Sequence, residues 1–298
     1  MYNSTQKEGN MSGTTKQART NSTSEDLASS KTSTSSLRSF RRETTNMRAS
    51  DSIDGYEKFE TLEAVSAAIR EEGVRECGLI FGIDYTLSNK LQGQKTFGGF
   101  NLHDISKDKV NPYQEVICIL GETLEPFDNE GMIPAYGFGD RNVKDKGIFP
   151  LKKEGRCDGF GEVLEVYEEI TPEVKLGGPT NFAPLIDEAV SIVQSKNKFH
   201  ILVIVADGQV TSEEDTIKSI VRASDNALSI IMIGVGDGPW DVMQDFDTKL
   251  PERKFDNFHF VEFHKVKEEA RNPQAEIALE ALMQIPEQYK TMRELGYL

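Results

Sequence analysis

The chain is poor in cysteine, histidine and basic charge, and it has no long apolar run. Its 298 residues include three cysteines and four histidines, and its formal net charge is −15 at pH 7. No apolar run approaches the roughly 18–20 residues that a membrane-spanning helix needs, so stable membrane insertion is not expected. Three cysteines without a C-x-x-C pair fit neither a disulfide framework nor a cysteine-rich zinc module. The start, Met1–Ser4, lacks the apolar stretch of a signal peptide. We therefore expect a cytoplasmic protein with reduced thiols, and the nucleus or the plasma-membrane surface are the alternatives.

Charge is distributed unevenly along the chain. Residues 1–50 hold eight basic residues against four acidic ones, and the remainder is strongly acidic. An acidic globular part argues against a nucleic-acid partner, which needs a basic surface. The Ser/Thr-rich start has few large apolar side chains, so residues 1–55 are predicted to form a disordered tail. A sharper hypothesis makes this tail a phosphorylation platform at Ser39, Ser50 and Ser52, which lie near arginines.

Residues 56–298 alternate between short apolar runs and segments with helical spacing. Helices are predicted over 61–70, 113–124, 159–169, 182–194, 213–223, 240–246 and 275–285, and strands over 78–84, 132–138, 200–207, 228–234 and 258–263. Cys118 falls in the core of a predicted helix. This alternation predicts an α/β fold, doubly wound, with a mostly parallel central sheet and helices on both faces. In such sheets, ligands bind beyond the carboxyl ends of the strands.

Small oxygen-bearing residues occur in three loops at predicted strand or helix boundaries. Asp84, Thr86 and Ser88 follow the first strand, Thr180 precedes a helix, and Asp207 follows the strand that begins at residue 200. A spacing of two lets alternate side chains in an extended loop point the same way. Carboxylates and hydroxyls are hard oxygen ligands. The pattern therefore predicts a site for Mg²⁺ or Mn²⁺, with Ca²⁺ as the alternative, and with one coordination position open to a partner.

Simpler interpretations exist for each of these signals. Any one of the three loops could be an ordinary turn or helix cap, and the metal site is favoured only because all three lie at the ligand-binding edge. The glycines of Gly234–Gly238 are similar to a dinucleotide loop, but they come late in the chain and run into Pro239. None of the four histidines pairs at i, i+4, so neither zinc binding nor acid–base catalysis is expected.

The order of these residues resembles that of a known family. Asp84-x-Thr86-x-Ser88, Thr180 and Asp207 match the metal-ion-dependent adhesion site of von Willebrand factor A domains, in the copine variant with threonine at the second position. Further segments are similar to copine domains, namely Ile83–Asn89, Asn111–Tyr113, Tyr136–Gly139, Gly178–Pro184, Ala206–Thr211, Val235–Trp240, Phe255–Phe258 and Ile285–Tyr289. The resemblance covers about residues 56–298. Within the family, the stretch from Phe59 looks most like the copine domain of plant RING-domain ligases.

The resemblance implies a von Willebrand A-type domain that binds a protein rather than transforming a substrate. The five motif residues would hold the ion, and an acidic side chain of a protein partner would complete its coordination. We expect Asn89, Asp140 and Asp237 on the rim that this partner contacts. Two alternatives stay open: a substrate-recognition component related to ubiquitin ligases, and a scaffold with a silent metal site. No RING cysteines and no C2 domains are present, so intrinsic ligase activity and membrane recruitment are not expected by analogy.

Overall fold

The computed structural model describes residues 60–153, 155–208 and 210–298. The predicted tail and its phosphorylation sites lie outside these residues. The strands are β1 (Gly78–Asp84), β2 (Met132–Ile133), β3 (Ala135–Phe138), β4 (Ile148–Pro150), β5 (Cys157–Asp158), β6 (His200–Ala206), β7 (Leu228–Gly234) and β8 (Phe258–Glu262). The α-helices are α1 (Leu62–Glu71), α2 (Pro112–Leu124), α3 (Gly159–Ile170), α4 (Ala183–Lys196), α5 (Glu213–Ala223), α6 (Asp241–Thr248), α7 (Phe263–Glu269), α8 (Pro273–Leu282) and α9 (Ile285–Glu294).

Six strands form one sheet in the order β4-β3-β1-β6-β7-β8. All neighbouring pairs are parallel except β3 and β4, which run antiparallel. Every residue of β6 and β7 is buried, as expected of parallel strands with both faces covered. The prediction of a doubly wound, mostly parallel sheet is confirmed. The short strands β2 and β5 pair separately.

Helices cover the sheet closely because small residues leave them room. At the middle of β1, a Cβ atom on Gly82 would lie 2.1 Å from Cδ2 of Leu185 in α4. Leu185 is fully buried, so α4 can reach the strand only where no side chain intervenes. Helices α1, α2 and α8 pack against one another, as do α4 and α5.

Local signals explain where the first helices begin. The Thr61 side chain accepts a hydrogen bond from the backbone N–H of Ala64 and caps α1. Asn111 and Gln114 form a reciprocal capping box before α2, and Pro112 occupies its first turn. Both boundaries match the sequence predictions to within one or two residues.

Two predicted elements are wrong in detail, and proline marks both places. The single strand predicted over 132–138 is divided at Pro134, where the chain passes from β2, which pairs with β5, to β3, which pairs with β1. The single closing helix predicted over 275–285 is instead α8 followed by α9, and Pro286 lies in the first turn of α9. Proline suits a first turn because its missing N–H would be unpaired there in any case. Helix α7, directly after β8, was not predicted.

The remaining expectations about the scaffold concern thiols and membranes. Cys77, Cys118 and Cys157 are all free and buried, and Cys118 lies in α2 as predicted. Burial raises the pKa of the Cys118 thiol to about 12, so it stays protonated near neutral pH. Within the described ranges, no helix combines the length and apolarity needed to cross a bilayer.

Candidate metal centre

The sheet topology brings the two motif aspartates to the same edge. Strands β1 and β6 are parallel neighbours, with Ile83 beside Val205 in the register. Asp84 ends β1 and Asp207 directly follows β6, so both side chains lie at the carboxyl edge of the sheet. The strand order also reverses between β1 and β6, and crevices for ligands form at such a switch point.

Only one of the two carboxylate oxygens of Asp84 has a hydrogen-bond partner among the described residues, and that partner belongs to its own loop. Its side chain is fully buried, and its Oδ1 accepts a 2.7 Å hydrogen bond from the backbone N–H of Thr86. Its Oδ2 has no hydrogen-bond partner among the described residues. Burial, and then the nearby charge of Asp207, raise the pKa of Asp84 well above its usual range, while hydrogen bonds from Thr86 oppose that rise. A cation here would offset the cost of burying two carboxylates side by side.

The hydroxyls of the first loop meet as their spacing predicts. The Oγ1 of Thr86 and the Oγ of Ser88 lie 2.9 Å apart. Thr86 is 3% exposed, whereas Ser88 is half-buried at the start of a short 3₁₀ helix, Leu87–Lys90. The sequence therefore brings two hydroxyl oxygens together next to the Asp84 carboxylate.

Backbone hydrogen bonds join the other two motif loops to the first. Thr86 forms a bridge with Gly177, whose carbonyl accepts a 2.8 Å hydrogen bond from the N–H of Leu87. The carbonyl of Thr180 accepts a 3.0 Å hydrogen bond from the N–H of Thr211, in the loop after Asp207. The three loops thus form one connected structure, as the metal-site hypothesis requires.

A buried aromatic network lies directly against Asp84, and sequence reasoning missed it. The imidazole of His103 is stacked between Tyr113 and Tyr85, with ring centroids 4.1 and 4.7 Å away. Its Nε2 lies 2.6 Å from the Asp84 carbonyl oxygen and its Nδ1 lies 2.9 Å from the Tyr167 hydroxyl. A carbonyl can only accept, so Nε2 carries the proton and Nδ1 accepts from the tyrosine.

His103 is neutral in this position, and it donates a hydrogen bond to the backbone carbonyl of Asp84. Burial lowers the pKa of His103 to about 3, although the hydrogen bond to the Asp84 carbonyl partly opposes this. A lone histidine in a long loop has no spacing signal, so only the fold reveals that it supports the last residue of β1. It is a positioning residue and not a metal ligand.

Two of the three residues expected on the partner-contacting rim are buried. Asn89 is fully buried; its amide group donates to the Thr86 carbonyl at 3.1 Å, and its Oδ1 accepts from the Tyr113 hydroxyl at 2.6 Å. Asp140 is 3% exposed, and its Oδ1 accepts from the N–H of Val143 at 2.8 Å. This corrects the expectation that they face a partner, because both side chains are used to shape their own loops.

Asp237 lies in the loop after β7 and connects it to the loop between β1 and α2. Its carboxylate accepts hydrogen bonds from the N–H groups of Lys95 and Thr96, both at 3.0 Å, and a 2.7 Å bond from the Thr96 hydroxyl. These hydrogen bonds lower the pKa of Asp237 although burial acts in the opposite direction. Asp237 is therefore an ionised anchor for the loop between β1 and α2.

The donor set fits a hard divalent cation better than zinc. The candidates offer carboxylate and hydroxyl oxygens, which suit Mg²⁺ or Mn²⁺. In the part of the chain that the structure describes, no group of three or more His, Cys, Asp or Glu side chains could hold an ion. The buried Asp84 carboxylate with one unsatisfied oxygen is the structural feature that fits a cation.

Comparison with protein families gives a match over most of the chain. The model of the copine family matches residues 101–298. Copine family protein 2 of Caenorhabditis elegans is 55% identical over 244 residues, which is 80% of this chain and 3% of that protein. Copine family protein 1 of the same organism is 52% identical over 242 residues, which is 80% of this chain and 22% of that protein.

Plant proteins of a second kind are similar over the same region. The E3 ubiquitin-protein ligase RGLG1 of Arabidopsis thaliana is 46% identical over 260 residues, covering 81% of this chain and 53% of the ligase. The chain thus spans about half or less of the length of these three relatives. Among solved structures, the manganese-loaded TRAP protein of Plasmodium vivax has a TM-score of 0.41 at 11% identity, covering 64% of this chain and 70% of that chain.

Proposed function

Because the chain belongs to the copine family, we propose that it is a protein-binding module whose hold on its partner depends on a divalent metal ion. One observation carries the proposal: Asp84 is fully buried beside Asp207, and its Oδ2 has no hydrogen-bond partner among the described residues. Buried carboxylates are normally paired, hydrogen-bonded or bound to a metal.

Five residues would hold the ion, namely Asp84, Thr86, Ser88, Thr180 and Asp207. When bound, the ion supplies positive charge and an open coordination position for a carboxylate oxygen of the partner. Mg²⁺ or Mn²⁺ suits this donor set, and Ca²⁺ is the alternative. Around it, Asn89 and His103 hold the backbone of Thr86 and Asp84 in place. Ser88 is half-buried, which supports an approach to the site past its hydroxyl.

The charge of the chain supports dependence on the metal. A formal net charge of −15 repels an acidic partner at long range. A bound divalent cation would reverse the sign of the field at one point, so an acidic side chain would bind there only when the ion is present. We infer that removing the ion weakens capture of an acidic partner rather than of every partner.

Calorimetric titration of the full chain with Mg²⁺, Mn²⁺ and Ca²⁺ tests the metal site. Asp84→Asn should remove saturable binding, because it removes a carboxylate charge from the site with little change of shape. Asp187→Asn is the matched control: this aspartate is exposed and pairs with Arg222 on the surface. Binding that survives Asp84→Asn would contradict the assignment of ligands. No binding by the parent chain would favour a scaffold with a silent site.

A second candidate function is substrate recognition for ubiquitin ligation. Five Arabidopsis relatives, at 45–46% identity, are E3 ubiquitin-protein ligases, and this chain aligns with 53–69% of their lengths. We propose that any role of this kind consists of presenting a substrate, with transfer activity supplied by another protein. The chain incubated with ubiquitin, activating enzyme, conjugating enzyme and ATP should form no ubiquitin conjugates. Conjugates formed under these conditions would contradict this division of roles.

For the site of action we propose the cytoplasm, with the nucleus and the plasma-membrane surface as alternatives. The three free, buried thiols support a reducing compartment. Fractionation of cells that express the tagged full chain distinguishes the three locations. Recovery of the protein mainly with the membrane or nuclear fraction would replace the cytoplasmic proposal.

A further inference from the structure

The loop between β1 and α2 carries much of the exposed apolar surface of the described chain. Leu87 is 53% exposed, Leu91 70%, Phe100 51% and Val110 37%. Eight large apolar side chains are exposed in the described residues, and these four all lie in this one loop. Leu87 is the immediate neighbour of the candidate ligand Ser88. Exposed apolar side chains concentrated in one loop mark an interaction surface more often than scattered ones do.

The loop backbone is fixed, so these side chains are presented from a rigid support. The Asp237 carboxylate holds Lys95 and Thr96, and the N–H of Asp237 donates to the carbonyl of Gln92 at 2.8 Å. The N–H of Leu102 donates to the carbonyl of Asn89 at 3.0 Å. A surface that is ordered in advance loses little conformational entropy when a partner binds.

The same loop is locally basic in an acidic chain. Lys90, Lys95, Lys107 and Lys109 are all exposed, against only two aspartates between residues 85 and 110. The Nζ of Lys109 lies 3.6 Å from the ring centroid of Phe97 and 4.8 Å from that of Phe100, which keeps positive charge beside an exposed aromatic ring. The loop therefore complements a ligand that is both acidic and apolar.

We propose that the loop Leu87–Val110 selects the partner of the metal site, and that it takes an extended protein segment in which a carboxylate side chain is flanked by bulky apolar residues. The inference rests on the proposed function, because the carboxylate would reach the ion while its neighbours contact Leu87 and Leu91. Of the five candidate ligands only Ser88 is half-exposed, and the others are at most 4% exposed. This narrow approach suits a single side chain better than the flat surface of a bilayer.

The test is fluorescence anisotropy of the full chain with labelled synthetic peptides in the presence of Mn²⁺. The probe peptides have a central Asp flanked on both sides by Leu or Phe; the control peptides have a central Asn, or flanking Ser. Leu87→Ser and Leu91→Ser should each weaken binding of the probe peptides by about tenfold, because a contact that buries a leucine is lost. Met283→Ser is the matched control, since Met283 is 57% exposed outside the loop and should leave binding unchanged.

The outcomes separate this inference from the proposed function. If Asp84→Asn abolishes binding while Leu87→Ser and Leu91→Ser bind like the parent chain, the metal-dependent function stands and the role of the loop is overturned. If the loop variants weaken binding but Asp84→Asn does not, the metal-dependent function fails and the inference fails with it. Absence of binding to every probe peptide also overturns it, as does loop-dependent binding to phosphatidylserine vesicles alone.

Discussion

Replacing His103 separates the hydrogen bonds of the buried aromatic network from its packing. His103→Phe keeps a ring between Tyr85 and Tyr113 but removes both nitrogens. The Asp84 carbonyl then loses its 2.6 Å donor, and the Tyr167 hydroxyl loses a 2.9 Å acceptor. His103→Ala removes the hydrogen bonds and the ring together, and it leaves a cavity between the two tyrosines.

The expected cost follows from what each variant leaves behind. A buried polar group that loses its partner costs about 1–3 kcal/mol. The Asp84 carbonyl still accepts a weaker bond of 3.3 Å from the Asn89 amide, so its loss falls at the low end. We therefore expect His103→Phe to lower the free energy of unfolding by about 2 kcal/mol. His103→Ala should lower it by about 3–5 kcal/mol, because a cavity and two stacked contacts are added to the loss.

Urea unfolding of the full chain, followed by far-ultraviolet circular dichroism, measures these differences at constant m-value. An unchanged midpoint for His103→Phe would refute the view that the imidazole nitrogens support the end of β1. Metal titration of the same variants tests positioning separately from stability. Val65→Ala, which opens a cavity in α1, is the matched control, since Val65 is fully buried. His103→Phe should weaken metal binding and Val65→Ala should not; equal weakening would leave only a structural role.

Three further predictions concern other parts of the chain. Gly208→Ala should destabilise the fold by about 2–4 kcal/mol in urea unfolding, because Gly208 has φ of +96° and a Cβ there would lie 2.0 Å from the Trp240 side chain. Gly161→Ala is the control: a Cβ at Gly161 meets no atom within 4 Å, so this variant should keep the stability of the parent chain. Burial lowers the pKa of His264 to about 4. Between pH of about 6.5 and about 4 the imidazole is therefore protonated in the unfolded chain but not in the folded one, so the parent should lose stability relative to His264→Gln as the pH falls through this range. A difference in stability that does not change with pH would contradict this. Cys118 should react with Ellman's reagent near pH 8 only as fast as the chain opens, because its burial raises the thiol pKa to about 12; rapid reaction in the folded chain, followed by absorbance, would show an accessible thiolate.

The predictable parts of the site are those that depend on short-range sequence. Asp84, Thr86 and Ser88 are each two residues apart, and this spacing predicts that their side chains point the same way. The structure places the Thr86 and Ser88 hydroxyl oxygens 2.9 Å from each other. The same holds for the capping box at Asn111. The parallel sheet follows from alternating apolar runs, and its topology then brings Asp207 to Asp84 without any local signal joining them.

The parts that the sequence could not reveal depend on side chains that meet across the fold. His103 touches Tyr167, which is 64 positions further along the chain, and nothing in either neighbourhood indicates the other. Asn89 was expected on an exposed rim, yet it is fully buried and its Oδ1 accepts a hydrogen bond from the Tyr113 hydroxyl, 24 positions further along the chain. The helix predicted over 275–285 stops just before Pro286, because a proline in the first turn of a new helix has the same local sequence as a proline that follows an old one.

The neighbouring position of β1 and β6 has a consequence for the order of events during synthesis. Their two aspartates are separated by about 120 residues, so the strands can pair only after the intervening helices have left the ribosome. Closing so long a loop carries an entropic cost, which is offset only when β1 and β6 pair at the centre of the sheet. A nascent chain arrested between these strands would display Asp84 without Asp207. The two aspartates of the proposed metal site would therefore come together in one late step, when β6 is inserted, and not gradually as the chain grows.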